Sequence, residues 1–176
     1  MRGNQRKSEL AQFGESVVFE ALEKNGYQCT RLGDYFRCFD IEASKGTQKL
    51  LVSVKTRNHT TDKNDEKRDC YNLFYKKKAG DDADSQVKVA EEIARLRSAL
   101  PMWAAVRVDV LRRVYDIYFG GVHELKNKKQ IPMGPNDRRR HKKLAESVFD
   151  QRIVGAWSNV RRRPAAQETR LVRPEA

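Results

Sequence analysis

The chain has 176 residues, with 36 Lys or Arg against 24 Asp or Glu, a formal net charge of +12 and 39% hydrophobic residues. That length fits one domain with a buried core, and the 5 Pro, 10 Gly and apolar content exclude collagen-like, repeat-array and wholly disordered chains. No stretch approaches the roughly 18 apolar residues of a membrane span, and Met1 to Leu10 lacks the apolar core of a signal peptide, so a cytoplasmic location and no membrane partner are expected.

Leu10, Phe13, Val17 and Ala21, with Val18 or Leu22, recur at spacings of three and four, which predicts a helix over Ser8 to Asn25 closed by Gly26. Tyr27 to Leu32 is strand-like, and Gly33-Asp34 turns the chain. Phe36 to Ala43 and Lys49 to Thr56 form a predicted hairpin around Ser44-Lys45-Gly46-Thr47. Alternation then puts Asp40 and Glu42 on one face of the first strand, and Ser53 and Lys55 on one face of the second. Arg57 to Ser85 carries seven acids and seven bases, broken by the aromatic run Tyr71 to Tyr75, and is expected to be a long excursion with one short strand.

Gln86 to Leu100 is a second predicted helix, burying Val87, Ala90, Ile93 and Ala94 and stopped by Pro101. Strands follow at Met102 to Val110 and Val114 to Phe119. A loop with Pro132, Gly134 and Pro135 leads to a final helix over Arg140 to Trp157, with Leu144, Val148 and Ile153 inward. The expected fold is α/β, in the order α-β-β-β-α-β-β-α, with one domain over 8–157, the charged excursion at 57–85, and a basic, flexible tail at 158–176. Cys29, Cys38 and Cys70 form no CxxC pair and are expected to be free thiols.

The charge is unevenly placed: Lys126 to Ala176 holds 14 basic and 5 acidic residues, a net of +9. Polyanions are the implied partners, and nucleic acid fits better than a lipid surface because the basic tail has no sustained apolar face. Lys126, Lys128, Lys129, Arg138, Arg139, Arg140, Lys142 and Lys143 bracket the loop before the predicted final helix and are suited to successive phosphates. Tyr71, Phe74 and Tyr75 have the rings to stack on bases or to pack on the sheet.

An Asp and a Lys on adjacent strands suit phosphodiester hydrolysis: Asp40 to hold a divalent cation and Lys55 to place positive charge near a phosphate or its attacking water. A cross-strand ion pair is the structural alternative for the same two residues.

The run Gly14-Glu15-Ser16-Val17-Val18-Phe19-Glu20, then Phe39-Asp40-Ile41-Glu42-Ala43 and Leu51-Val52-Ser53-Val54-Lys55-Thr56-Arg57, resembles the PD-(D/E)XK nuclease superfamily, nearest to archaeal-type Holliday junction resolvases. The resemblance spans roughly Leu10 to Val110 and rests mainly on motif order. It implies a restriction-endonuclease-like mixed central sheet flanked by helices, and a metal-dependent endonuclease acting on branched or specific duplex DNA. It also implies Mg²⁺ or Mn²⁺ as cofactor and a homodimer. Glu20 matches the helix-borne acid, Asp40 the metal-binding Asp, and Lys55 the catalytic Lys. The acid wanted two residues before that Lys is replaced by Ser53, and Glu42, on the side of Asp40, is the candidate to supply its charge. The metal set is thus Asp40, Glu42 and Glu20, with Arg57 as a phosphate contact; His59 is a plain loop residue. The alternative is a noncatalytic DNA-binding or assembly protein that keeps the nuclease fold, favoured by Ser53; charge alone leaves RNA open as substrate.

Overall fold

The computed structural model describes residues 9–33, 36, 38–59, 70–73, 83–109, 112–125 and 130–148. The first helix, α1, runs Glu9–Lys24 and buries Phe13, Val17, Val18, Ala21 and Leu22 on one face, as the spacing predicts. Strands β1 (Gln28–Arg31), β2 (Ile41–Lys45) and β3 (Gln48–Asn58) follow, all antiparallel to their neighbours in this half. The β2–β3 turn is the two-residue Gly46-Thr47, where Gly46 takes φ +58°, the sign that mirror-image hairpin turns need.

The short strand β4 (Cys70–Asn72) precedes helix α2 (Ala83–Leu96), then β5 (Leu100–Asp109) and β6 (Val114–Gly121). A 3₁₀ turn (Val122–Leu125), β7 (Gln130–Pro132), a four-residue helix α3 (Pro135–Arg138) and β8 (Lys142–Val148) complete the described chain. The main sheet has the order β1-β2-β3-β5-β6-β8, with β3 and β5 parallel and every other pair antiparallel. This is the mixed α/β class expected from the sequence.

Helix α1 lies on one face over Val52, Val54, Ala104, Val106 and Ile117. Helix α2 covers part of the other face through Ala90 and Ala94 against Leu51 and Phe39. The rest of that face is closed by a β4–β7 ribbon, whose Tyr71 and Ile131 join Trp103, Ala105 and Tyr118 in a second cluster.

Several boundaries differ from the sequence expectation, among them the start of β2 at Ile41 rather than Phe36. Helix α2 ends at Leu96 rather than at Pro101, because Ser98 adopts φ +50° and Ala99 N–H returns to Ala94 O at 2.9 Å, a left-handed cap. Pro101 instead sits at the entrance of β5, where a missing N–H is tolerated. The final helix expected over Arg140 to Trp157 is replaced, as far as Val148, by β8, paired antiparallel with β6. Its pairs run from Val114 with Val148 to Phe119 with Lys142 and cover the edge that β6 would otherwise expose. Residues 149–157 and the tail at 158–176 lie outside the described residues.

Packing of α1 on the sheet is closest at Gly14, where a Cβ would stand 2.8 Å from Thr56 Cβ and closer still to its hydroxyl. Gly14→Ala is therefore expected to destabilise by about 1–3 kcal/mol, as overpacking does, read as a lower denaturation midpoint at unchanged m-value.

Candidate active site

Strand β3 outruns its neighbour: the last β2–β3 pair is Ile41 with Val52, whereas β3 continues to Asn58. The open edge beyond Val52 is met by Asp40, the residue just before β2. Its backbone N–H donates to Val52 O at 2.9 Å, and its Oδ2 accepts from Val54 N–H at 2.7 Å. The carboxylate is thereby fixed beside Lys55.

A cleft of about 550 Å³ opens at this edge. Ala11 and Glu15 of α1, Asp40, and Val54, Lys55, Thr56 and Arg57 of β3 line one side; Cys70, Tyr71 and Asn72 of β4 and Gln130 of β7 line the other. Asp40 and Lys55, paired in the sequence argument, thus share one cleft.

The other two expected acids do not join them. Glu20 is exposed and does not line the cleft; the acid that α1 brings there is Glu15. Five residues turn a helix by about 500°, which leaves the two side chains roughly 140° apart around the axis, so only one can face the cleft. Glu42 bonds Lys49 at 3.0 Å and Arg97 at 3.4 Å, and it too is absent from the lining. The alternation that placed it with Asp40 fails because β2 begins only at Ile41, and Asp40 turns toward β3 ahead of the strand. Ser53, at the motif position wanting an acid, is fully buried, and its hydroxyl has no hydrogen-bond partner among the described residues.

Arg57 donates to Cys70 O at 2.6 Å and lies with its guanidinium 6.0 Å from the Tyr71 ring centre, so it ties β4 to the cleft edge. Tyr71 is buried rather than offered for stacking: its hydroxyl is 3.1 Å from His59 Nε2 and donates to Val106 O at 3.4 Å. Phe74 and Tyr75 lie outside the described residues.

His59 is 7% exposed and no plain loop residue. Burial above all, then the charges of Arg107, Arg57 and Arg138, hold its pKa down to about 4, against a smaller opposing pull from Asp109. The neutral ring that results is suited to the Tyr71 hydrogen bond. Nothing in the local sequence signalled this, because the partner lies twelve residues on, across the charged excursion.

Of the expected phosphate contacts, Arg57 lines the cleft. Lys126, Lys128 and Lys129 lie outside the described residues. Arg138 is half-buried and donates to Met133 O at 3.3 Å; Arg139, Arg140, Lys142 and Lys143 are exposed, and Lys143 bonds Asp116 at 2.9 Å. None of the five described ones, Arg138, Arg139, Arg140, Lys142 and Lys143, lines the cleft. Cys29, Cys38 and Cys70 are free thiols, and burial pushes Cys29 up to about 11.

Among the described residues no three His, Cys, Asp or Glu side chains converge as a metal cage. The cleft does hold two carboxylates, Glu15 and Asp40. Mg²⁺ is commonly held by one or two carboxylates, with water and substrate phosphate completing its shell, and Mn²⁺ accepts the same hard oxygen donors. On those terms the donor set fits either ion.

No helix among the described residues is long and apolar enough to cross a membrane. No family model and no curated protein sequence matches the chain. Among solved structures, it is similar to Hjc of Archaeoglobus fulgidus, a Holliday junction resolvase from an archaeal hyperthermophile, at 18% identity and a TM-score of 0.48, over 74% of this chain and 96% of that one.

Proposed function

We propose that the chain is a metal-dependent endonuclease hydrolysing DNA phosphodiester bonds, at branched or specific duplex sites, with RNA the alternative substrate. The observation that supports this best is that Glu15, Asp40 and Lys55, from a helix, a strand entrance and a strand, line one cleft. Glu15 and Asp40 would hold Mg²⁺ or Mn²⁺, and when bound the ion supplies a lowered pKa for its water and offsets charge on phosphate oxygens. Lys55 places an ammonium where negative charge accumulates during displacement. Val54 N–H keeps the Asp40 carboxylate oriented, and Arg57, anchored on Cys70 O, brings a guanidinium to the cleft edge, a group suited to phosphate. Two paired copies would set two such clefts against two strands.

Ser53 favours a second reading, a noncatalytic nucleic-acid-binding protein. Its neutral, fully buried hydroxyl brings no charge to a metal.

Supercoiled plasmid, linear duplex and a four-way junction, each with Mg²⁺, Mn²⁺ or EDTA, separate the two. Cutting is expected with either ion and none with EDTA. Glu15→Gln is expected to slow it by about 10²-fold or more, the scale for losing one charged group at a reacting centre, whereas Glu20→Gln stays within about twofold, as exposed positions do. Substrates that stay whole in every condition, yet are retained in a gel shift, would establish the binding reading instead.

A further inference from the structure

The charged side chains of the cleft, Glu15, Asp40, Lys55 and Arg57, lie on α1, ahead of β2 or on β3, whereas the ribbon wall brings no carboxylate, ammonium or guanidinium. Its polar side chains are two amides, Asn72 of β4 and Gln130 of β7. Tyr71 and Ile131 turn inward to the second core cluster, so alternation turns Asn72 and Gln130 outward, and both are exposed. Pro132 has no N–H, so its pair with Cys70 is not of the doubly hydrogen-bonded kind; that kind falls to Tyr71 with Ile131, and Asn72 with Gln130 is again the other. In such a pair the Cα atoms are about 4.5 Å apart, the side chains are closest, and the backbone groups point away from the partner strand. Accordingly Gln130 Nε2 donates to Asn72 Oδ1 at 2.8 Å, and the Asn72 N–H and C=O turn to the edge of β4 on which Arg57 meets Cys70 O. That bond uses one N–H of Gln130 and the oxygen of Asn72, and no other hydrogen bond joins either side chain to a described residue.

We propose that Asn72 and Gln130 determine specificity: the linked amides hydrogen-bond the edge of the base in the nucleotide whose phosphate lies at Lys55. This deepens the nucleic-acid reading above and rests on it, but not on cleavage. Phosphate is matched by the charge on the β3 wall, whereas a base edge is neutral and sets donors beside acceptors, which an amide matches in both senses. Adenine, with an acceptor next to a donor, is the base that an Asn or Gln amide pairs through two bonds. The bond between the two amides holds them in place before a base arrives, so less side-chain freedom is lost on binding.

Selection from a pool of short duplex DNA with a randomised stretch, retained by the full chain in EDTA and then sequenced, tests the contact. The parent is expected to enrich adenine at one position by about fivefold or more. Asn72→Ala and Gln130→Ala flatten that position, whereas Gln28→Ala, an exposed amide on β1 outside the cleft, keeps it. Anisotropy of a labelled, enriched duplex across a salt series gives a second readout. Both cleft variants weaken binding at every salt concentration with the slope of log K against log[salt] unchanged, since a neutral amide releases no counterion. Thermal melting accompanies each variant, and Gln130→Met, of similar length without the amide, replaces the alanine variant if that one melts early. Retention of the pool with no base enriched, or an enrichment that survives both substitutions, overturns the contact while leaving nucleic-acid binding in place. A pool that is not retained overturns both. Enrichment that is lost in the variants of a protein that cuts nothing keeps the contact and removes the nuclease reading.

Discussion

Lys55→Ala is expected to lower the cleavage rate by about 10²–10³-fold, roughly 2.7–4 kcal/mol of barrier, the range seen when one preorganised charge stabiliser is removed. On the proposed reading the loss should fall on kcat more than on KM, because the ammonium would act where charge grows during reaction, whereas binding energy would be spread over several phosphate contacts. Folding should be little affected: Lys55 is half-buried at an open edge, and its backbone ladder with β5 needs no particular side chain. Single-turnover rates, with thermal melting as a control, check this. A variant that melts normally and cuts at the parental rate would exclude Lys55 from the chemistry.

Trp103→Ala is expected to produce the largest loss of stability, about 3–5 kcal/mol for a buried aromatic truncated in place. Trp103 is fully buried, donates Nε1–H to Gly121 O at 3.1 Å, and meets the His141 ring edge-on at 4.9 Å. Gly120 makes room for it, since a Cβ there would approach Trp103 Cζ2 to 2.5 Å. The surrounding sheet cannot close the space without breaking the register of β5 with both neighbours. For a chain of this size the shift in melting temperature is roughly 6–20 °C, read by calorimetry.

The elements most legible in the sequence were those whose pattern and neighbours agree. The α1 stripe, the Gly46 hairpin and the β5–β6 pair needed only periodicity and turn chemistry. Asp40 and Lys55 were also accessible, because two adjacent strands bring them together. Glu15 was harder, since it and Glu20 stand in the same short run, and the choice depends on how α1 is rotated on the sheet. Gly14 carried that information: a glycine inside a helix marks close approach, here to Thr56, and turns its neighbour Glu15 to the cleft. Glu42 was misplaced by extending strand alternation through a residue that precedes the strand. The β8 strand was hidden because Leu144 and Val148, four apart, satisfy either period, and the pairing with β6 that separates the two leaves no mark in the local pattern. His59 and Arg107 have no local signature, because each acquires its setting from residues distant in sequence.

The two walls of the cleft differ in what holds them. Lys55 and Arg57 ride on an inner strand that is hydrogen-bonded to β2 at one end and to β5 along most of its length. The facing wall is a ribbon of three paired positions, attached through Arg57 to Cys70 O, through the Tyr71 hydroxyl and by packing of Tyr71 and Ile131 on Trp103, Ala105 and Tyr118. Backbone amides of β3 are therefore expected to exchange more slowly than those of the ribbon, which should open at lower free energy. An opening of the ribbon would therefore change the aperture of the cleft while Asp40 and Lys55 keep their mutual positions.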